Sequence, residues 1–320
     1  MDKQTPILVI GAGSIGERHI RNLQHLGFTQ IHVLRSRQLP MRTVDASTVT
    51  IINDPDAIAE NFYAFAIICT PTMLHAQQTL SCLERGMHVL VEKPLSHTTE
   101  DLIKLQHIAE QRNLRVQVAY MMRYHPHLQA VEALIAAGTM GKLLHIATHW
   151  GSYMPDWHPW EDHRNSYAAR RDMGGGVALT LSHDLDVAHW LANSEMAHYS
   201  KQYGYPPHLE IDAEGIADFQ ITYKNGIIAH VHLNYVERPQ RRDYRFIFEE
   251  GVVMIDFFAG AMSISSASDV RTQTLPHFDR NDLFIAEISD FIDHIDHDSD
   301  HTSFTREQIS ASARIINMCL

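Results

Sequence analysis

Residues 7–16, ILVIGAGSIG, decide the fold class of this chain. The apolar run Ile7–Ile10 predicts a buried strand, and it leads directly into a glycine pattern that opens a helix. Such glycines permit a tight turn and the close approach of a pyrophosphate, whose charge meets the helix N-terminus. At a first strand–helix junction the pattern favours a dinucleotide site over a plain glycine turn. The expected binding residues are Gly11, Gly13, Ser14, Ile15 and Gly16.

The rest of the first 120 residues alternates short apolar runs with helical patterns. Strands are predicted at residues 31–34, 48–52, 65–69, 88–91 and 115–120, and helices at 74–85 and 100–112. Strands that alternate with helices indicate a parallel sheet covered on both faces. This part of the chain therefore predicts an α/β Rossmann domain with a doubly wound parallel sheet.

After Gly141 the predicted strands follow one another closely, without long helices between them. They lie at residues 143–150, 216–223, 227–235, 244–249 and 252–257, and Lys224-Asn225-Gly226 predicts a hairpin turn. Hairpin-connected strands indicate an antiparallel sheet. We therefore predict two domains: a dinucleotide-binding domain of residues 1–122, and a C-terminal α+β domain of residues 123–320 with a mainly antiparallel sheet.

Composition excludes several classes of protein. The 320 residues are 45% hydrophobic, which is enough for a full core, and the formal net charge is −12. A nucleic-acid surface needs a basic patch, so no nucleic-acid partner is expected. No apolar run approaches a membrane span and no basic-plus-apolar leader precedes the first strand, so we expect no membrane partner and a cytoplasmic location. The three widely spaced cysteines predict reduced thiols.

The predicted second strand ends in Leu34-Arg35-Ser36-Arg37. An acid at this point commonly holds the ribose 2′-hydroxyl of NAD. Two guanidinium groups around a hydroxyl suit a 2′-phosphate instead, because arginine makes forked bonds to phosphate oxygens. Arg35, Ser36 and Arg37 therefore favour NADP over NAD, with a solvated basic turn as the alternative.

Residues 88–96, HVLVEKPLS, end a predicted buried strand on Glu92, Lys93 and Pro94. Burying an unpaired charge is costly, and proline restricts the residue before it. Ligands of doubly wound sheets bind at the carboxyl ends of the strands, which is where Lys93 is expected. The alternative is an exposed strand-end lysine whose stem is packed.

Taken together, the motifs resemble those of the Gfo/Idh/MocA oxidoreductases. They occur in the order typical of that family as far as about residue 190: the N-terminal GxGxxG, Cys69-Thr70-Pro71-Thr72 with His75, Glu92-Lys93-Pro94, Arg123-Tyr124-His125-Pro126, Gly174-Gly175-Gly176 and His183-Asp184-Leu185-Asp186. The resemblance implies an NAD(P)-dependent dehydrogenase or reductase acting on a carbohydrate hydroxyl or its keto form. It also implies that Lys93 lies beside the nicotinamide, before a commonly cis Lys–Pro bond. Further cofactor-binding residues implied are Thr70, Pro71, His75 and Glu92.

Residues 174–186, GGGVALTLSHDLD, form the second catalytic element that the resemblance implies. His183 and Asp186 match the histidine and the later acid of the family, but Thr180 occupies the position of its first acid. A histidine suits proton transfer near neutral pH, so Lys93 and His183 are the expected proton handlers. Asp184 or Asp186 would have to replace the missing acid. A packed helix-face histidine, and a non-catalytic dinucleotide sensor, are the alternatives.

Residues 151–167, GSYMPDWHPWEDHRNSY, predict a wall of the substrate site. Aromatic faces interleaved with hydrogen-bonding groups suit a sugar ring, and long loops are usually functional. The expected substrate residues are Arg123, Tyr153, Trp157, His158, Arg164, Tyr167 and His183. Because Arg170 and Arg171 add to this positive charge, a nucleotide-linked or otherwise anionic sugar is one option. An aromatic interface, or a reductase of a non-sugar substrate, is the alternative.

Two further features concern metals and assembly. Residues 294–301, HIDHDSDH, have the composition of a metal cluster but lack closed four-ligand spacing, so a solvated acidic loop and no metal are expected. A second subunit commonly covers the open face of an antiparallel sheet. We therefore expect a homodimer or a homotetramer.

Overall fold

The computed structural model describes residues 1–36, 40–157 and 159–320. Its contacts divide the chain into two compact units. The first unit comprises Met1–Tyr120 with Asn281–Met318 and Leu320, and the second comprises Met121–Arg280 with Cys319.

The first unit is built on a six-stranded parallel sheet of order β3-β2-β1-β4-β5-β6. Its central strands are buried along their whole length, which is why they appear in the sequence as continuous apolar runs. The predicted doubly wound parallel sheet is confirmed. Its elements are β1 Ile7–Ile10, α1 Ser14–His25, β2 Ile31–Leu34, β3 Thr50–Ile52, β4 Phe65–Ile68, α2 His75–Glu84, β5 His88–Glu92, α3 Leu102–Gln111 and β6 Val116–Ala119.

The second unit is built on an eight-stranded sheet of order β14-β13-β12-β11-β7-β10-β9-β8. All pairings are antiparallel except that of β7 with β10, so the predicted mainly antiparallel sheet is confirmed. The hairpin between β9 and β10 places Gly226 at φ 89°. The elements are α4 Pro126–Ala137, β7 Leu143–Gly151, α5 Val177–Thr180, α6 His183–Ala192, β8 Met196–Gly204, β9 Ile216–Tyr223, β10 Ile228–Asn234, β11 Arg241–Phe248, β12 Gly251–Asp256, β13 Ala261–Ser266 and β14 Val270–Thr274.

Two C-terminal helices, α7 Asn281–His297 and α8 Thr302–Cys319, return to the first unit. Phe291 of α7 packs edge-on against Phe65 of β4, with ring centroids 5.4 Å apart. The boundaries expected from sequence, 1–122 and 123–320, therefore differ from the contact units, because residues 281–318 pack with the first. Helices that pack against a unit so far away in the sequence carry no local sequence pattern that would indicate the contact.

The histidine-rich run at residues 294–301 begins inside α7 and not in a loop. His294 Nδ1 donates to the backbone carbonyl of Asp290 at 2.7 Å, and His297 Nδ1 donates to that of Asp293 at 2.8 Å. Across the described part of the chain, no group of three or more histidine, cysteine or acidic side chains is arranged to hold a metal ion.

Three further observations concern the whole chain. Cys69, Cys82 and Cys319 are all free and buried. Burial raises the pKa of Cys82 to about 12. Among the helices that the structure describes, none combines the length and the apolar character needed to cross a bilayer.

Candidate active site

The glycine loop after β1 has the shape that a pyrophosphate requires. Gly11 has φ +96°, and a Cβ there would lie 2.9 Å from the Cys69 carbonyl oxygen and 3.1 Å from Thr70 Cγ2. A Cβ at Gly13 would meet nothing within 4 Å, so this position faces open space. Ser14 begins α1, whose N-terminal N–H groups suit an anion. The loop fits a dinucleotide, and its packing brings Thr70 against it.

Glu17, in the first turn of α1, binds the backbone of the segment that follows β2. This buried carboxylate accepts hydrogen bonds from the backbone N–H groups of Arg42 and Thr43, at 2.9 and 2.6 Å, and from the Thr43 hydroxyl at 2.6 Å. Burial works to raise the pKa of Glu17, but these hydrogen bonds lower it overall, so the carboxylate stays charged. Half-buried Arg35 and exposed Ser36 begin this segment, and Arg37 lies outside the described residues.

Lys93 follows β5, and the Lys93–Pro94 peptide bond is cis. The neighbouring Glu92 is buried, and its Oε1 lies 2.9 Å from Nε2 of the fully buried His19 on α1. Burial works to raise the pKa of Glu92, whereas the hydrogen bond from His19 and nearby positive charge lower it overall. Glu92 is therefore engaged within the protein, while Lys93 next to it is half-buried.

His75 is likewise engaged within the protein. Its ring is 2% exposed, with Nδ1 2.8 Å from the Pro94 carbonyl oxygen and Nε2 2.7 Å from the Thr70 carbonyl oxygen. Thr70 also donates from its hydroxyl to Gln78 at 2.6 Å, and Pro71 precedes a short helix at Thr72–Leu74. The site residues expected between Thr70 and Lys93 thus form one connected group.

In the second unit, the three glycines let the aromatic loop pack closely against the segment that leads to His183. Gly175 N–H donates to the Arg170 carbonyl and Gly176 N–H to the Ala168 carbonyl, both at 2.9 Å. A Cβ at Gly175 would lie 2.2 Å from the Tyr167 carbonyl oxygen, so a larger residue would displace the loop. The predicted substrate loop and the predicted catalytic element are therefore in contact.

His183 begins α6 and is 4% exposed, with its ring centroid 6.4 Å from that of Trp150. Beside it, Asp184 accepts a hydrogen bond from Arg242 at 2.7 Å, and the Arg242 guanidinium lies 4.0 Å from the Trp150 ring centre. Burial works against charge on Arg242, yet Asp184 and Tyr244 raise its pKa. The buried ion pair and Trp150 form one cluster beside His183.

Both acids that the sequence offered in place of the missing one are bound to arginines. Asp184 binds Arg242, and buried Asp186 accepts two hydrogen bonds from Arg123, at 2.9 and 2.7 Å. Thr180 is buried in α5. No carboxylate therefore occupies the place of the family's first acid at position 180.

The aromatic side chains of the loop have different surroundings. The Arg238 guanidinium lies 3.5 Å from the centre of the Tyr153 ring. The rings of His208 and Tyr153 are stacked, with their centroids 6.4 Å apart and their planes 6° from parallel. Trp157 donates from its indole to Ser152 at 2.9 Å and meets Tyr235 edge-on. Tyr167 is half-buried, and His158 lies outside the described residues.

The arginines expected to attract an anionic substrate are paired with acids. Arg164 binds Asp162 at 2.7 Å and Glu210 at 2.5 Å, and Arg170 binds Asp172 at 2.7 Å. Arg171 contacts the Tyr205 hydroxyl at 3.3 Å. Most of the positive charge that the sequence suggested is thus compensated within the second unit.

Sequence reasoning missed Glu17, His19 and Arg242. Glu17 and His19 follow the glycine motif directly on α1, so a charged and a titratable residue on its buried face were the available signal. Arg242 lies far along the chain in β11, and no local pattern connects it to Asp184.

Comparison with known proteins supports the assignment of both units. Residues 6–120 match the model of an oxidoreductase family with an NAD-binding Rossmann fold, and residues 128–254 match the GFO/IDH/MocA C-terminal domain. An uncharacterized oxidoreductase of Synechocystis is 28% identical over 260 residues, covering 76% of this chain and 69% of that protein. Inositol 2-dehydrogenase 1 of Mycolicibacterium vanbaalenii is 29% identical over 223 residues, covering 68% of this chain and 61% of that protein.

The fold also matches solved structures. A levoglucosan dehydrogenase in complex with NADH superposes with a TM-score of 0.82 at 16% identity, covering 99% of this chain and 97% of that one. At that identity the match shows the fold alone. The two family models confirm the resemblance drawn from the motifs and the oxidoreductase class. The chain belongs to the Gfo/Idh/MocA family of oxidoreductases.

Proposed function

We propose that this protein is an NAD(P)-dependent dehydrogenase or reductase that interconverts a hydroxyl and a keto group on an uncharged sugar or polyol. The observation that carries the proposal is the position of Lys93. It follows β5 directly, at the carboxyl ends of the parallel strands, which is also where the glycine loop follows β1. Ligands of such sheets bind at the carboxyl ends of the strands. The names of two relatives, an inositol 2-dehydrogenase and a levoglucosan dehydrogenase, support a carbohydrate substrate.

The nicotinamide cofactor supplies or accepts the hydride when it is bound, and the first unit provides the residues to hold it. Gly11, Gly13, Ser14, Ile15 and Gly16 suit the pyrophosphate. Arg35 and Ser36 suit a 2′-phosphate, which favours NADP, and Glu17 fixes the segment that follows them. Thr70 and Pro71 lie beside the glycine loop, where the Thr70 side chain meets Gly11.

Proton handling is assigned to Lys93 and His183. Lys93 stands next to Glu92, whose carboxylate is bound by His19, and it follows the carboxyl end of β5. His183 is held beside Trp150 and the Asp184–Arg242 pair. Each side chain is assigned to give or accept the proton of the reacting hydroxyl.

The preference for an uncharged substrate rests on the arginines of the second unit. Arg123, Arg164 and Arg170 each have a carboxylate partner within 3 Å. Binding a phosphate or carboxylate there would require breaking an ion pair that already exists. Hydroxyl groups, in contrast, need only the aromatic and polar surfaces of Tyr153, Trp157 and Tyr167.

A non-catalytic dinucleotide sensor is the second candidate function. It is favoured by Thr180 in α5, which stands where the family usually has an acid, and by the binding of Asp184 and Asp186 to arginines. A sensor would bind the dinucleotide without turning over any sugar.

The proposal is tested with purified protein, NAD and NADP, and a panel of polyols, aldoses, anhydrosugars, aldonates, sugar phosphates and nucleotide sugars. We expect turnover with an uncharged member of the panel and tighter binding of NADP than of NAD. Arg35→Asp should weaken NADP binding roughly tenfold or more, because hydrogen bonds to charged groups are strong. Arg112→Asp, the same charge change at the exposed end of α3, is the control. Dinucleotide binding with no turnover would favour the sensor, and turnover only of charged sugars would refute the uncharged substrate.

A further inference from the structure

The imidazole of His75 joins the backbones of two neighbouring strand ends in the first unit. Its Nδ1 lies 2.8 Å from the Pro94 carbonyl oxygen and its Nε2 lies 2.7 Å from the Thr70 carbonyl oxygen. The side chain is 2% exposed, so water does not compete for either contact. Both distances are those of good hydrogen bonds.

The two contacts require a particular form of the ring. A backbone carbonyl only accepts hydrogen bonds, so each ring nitrogen must carry a hydrogen to bond it. Neutral imidazole has one N–H group, whereas the imidazolium has two. Both contacts are therefore hydrogen bonds only when His75 carries a positive charge.

A buried imidazolium needs a compensating charge, and Glu92 provides it. Burial, to which nearby Lys93 adds, lowers the pKa of His75 overall, while the Pro94 and Thr70 carbonyl groups and the Glu92 carboxylate oppose that shift. Glu92 is itself held in place by His19 at 2.9 Å. The charged form of the ring is therefore inferred from its two carbonyl contacts and not from its pKa.

The two joined segments have separate roles in the proposed function. Thr70 follows β4, and its side chain meets Gly11 of the glycine loop. Pro94 follows Lys93 at the end of β5, and β4 and β5 are neighbours in the sheet. One ring therefore connects the backbone beside the dinucleotide loop with the backbone that carries Lys93.

We propose that His75 is a positioning residue, whose imidazolium fixes the Lys93 segment relative to the Thr70 segment, and that it does not itself contact the cofactor. The inference rests on the proposed function, because it assigns Lys93 to proton transfer. The proposal gives the two hydrogen bonds different roles. The bond to Pro94 serves turnover, and the bond to Thr70 serves dinucleotide binding.

Two substitutions separate these bonds. The Asn side-chain nitrogen stands near the place of Nδ1, so His75→Asn retains the Pro94 bond and loses the Thr70 bond. The Gln side-chain nitrogen stands near the place of Nε2, so His75→Gln does the reverse. We expect His75→Gln to lower kcat roughly tenfold or more, because small displacements of catalytic groups are costly, with a smaller change in NADP(H) Kd. We expect His75→Asn to raise that Kd roughly fivefold, with a smaller change in kcat.

His127→Asn is the matched control, since His127 is also buried and its Nε2 lies 3.2 Å from a backbone carbonyl, that of Gly260, which the shorter Asn side chain does not reach. This variant should lower the thermal midpoint, and kcat and the NADP(H) Kd should not change by different amounts. Equal changes of kcat and Kd in the Asn and Gln variants would show a merely structural role and overturn the proposal. If wild type binds NADP(H) but turns over no sugar, the proposed function fails, whereas the Kd difference between the variants still tests the two hydrogen bonds of His75.

The wild-type protein offers a test that needs no variant. Nitrogen-15 spectra of the histidine rings at pH 6 should contain an imidazolium with two N–H groups protected from solvent exchange, because the His75 ring is buried between two acceptors. The absence of any protected imidazolium among the histidines would overturn the proposal even if both variants failed to fold.

Discussion

Glu92 and Lys93 are adjacent in the chain, but their side chains have different surroundings. The Glu92 carboxylate is buried and bound by His19, whereas Lys93 is half-buried at the strand end. A buried carboxylate such as that of Glu92, which already has a hydrogen-bond partner, helps to hold the neighbouring residues in place. Lys93 follows the carboxyl end of β5, where ligands of such sheets bind. The proposed proton transfer therefore belongs to Lys93 and not to Glu92.

Lys93→Met tests this assignment at a single residue. Methionine keeps the length and apolar bulk of the lysine stem but has no proton to transfer. Since a general acid–base group contributes roughly 10²–10⁴ in rate, kcat should fall at least about a hundredfold. NADP(H) Kd and the thermal midpoint should change little. Normal turnover would remove Lys93 from the mechanism, and failure to fold would make it a structural residue.

The motifs gave the correct family and strand ends, but they did not reveal which way the side chains point. That His75 and Glu92 bind the cofactor stays a prediction; in the structure the ring of His75 contacts two carbonyl oxygens and Glu92 contacts His19. Their partners lie 5 to 73 residues away in the sequence. These side chains are buried, so each must point towards hydrogen-bond partners inside the protein. The local sequence does not show where those partners lie.

At the scale of elements, α8 completes the edge of the first sheet. β6 is an edge strand, and the N–H groups of Val116 and Val118 donate to the side chains of Thr305 and Gln308 at 3.0 and 3.2 Å. Thr305 also donates to the Leu114 carbonyl at 3.1 Å. Covering an edge in this way prevents its pairing with another chain.

Thr305→Val should reduce the free energy of unfolding by about 1–3 kcal/mol, because it leaves a buried N–H group and a buried carbonyl without their partner. Thr305→Ser retains the hydroxyl and should lose much less. Urea unfolding of the three proteins makes the comparison. Equal losses in the Ser and Val variants would show that packing, and not the hydroxyl, holds α8 on β6.

His125 makes the start of α4 sensitive to pH. Its Nδ1 accepts a hydrogen bond from the His127 N–H group at 3.2 Å, and burial, with His127 and Arg242 nearby, lowers its pKa to about 3. The unfolded chain takes up this proton near pH 6.5, so the contribution to stability is present above that pH and is lost as pH falls towards 3. Between pH 7 and pH 5 the loss from His125 should be about 2 kcal/mol.

His125→Asn keeps an acceptor at the helix N-terminus but does not titrate. The variant should therefore lose about 2 kcal/mol less than wild type between pH 7 and pH 5, as measured by urea unfolding. Other buried histidines, such as His88 with its pKa lowered to about 4, contribute to both proteins alike. Identical pH dependence in the two proteins would contradict the assignment.

Strand prediction succeeded for most strands and failed for three strands of the second sheet. β9 alternates buried and exposed residues, and its predicted bounds are those observed. The edge strands β8 and β14, and β13 beside β14, went unpredicted because most of their residues are exposed or only partly buried, so the apolar pattern on which the prediction depends is weak. The sequence-based boundaries place the C-terminal helices with the second domain, whereas their contacts group them with the first unit, since their partners are distant in sequence.

At the scale of the whole molecule, the expected homodimer or homotetramer stays a prediction, and we propose the outer face of the second sheet as its interface. One cross-strand row of this face contains Asp218, His232, His149 and Asp243, in which Asp218 pairs with His232 and Asp243 pairs with Arg241 of the same strand, and the next row contains His230 and Arg245. Two copies related by a two-fold axis can place Arg245 of one copy against the acids of this face on the other.

Light scattering should therefore give a dimer or tetramer mass for the wild type and a smaller mass for Arg245→Glu. Lys224→Glu, the same charge change in the hairpin turn, is the control and should leave the mass unchanged. A wild-type monomer at micromolar concentration would contradict the proposal.

The proposed function requires hydride to pass between a sugar carbon and the nicotinamide, and a deuterium label on that carbon follows the transfer. The protein is incubated with oxidised NADP and an active sugar or polyol that carries deuterium on the reacting carbon, and the reduced nicotinamide is analysed by mass spectrometry. We expect deuterium to appear in the reduced nicotinamide with wild type, and its rate of appearance to fall at least about a hundredfold with Lys93→Met. Dinucleotide binding without any deuterium transfer from any member of the substrate panel would contradict it.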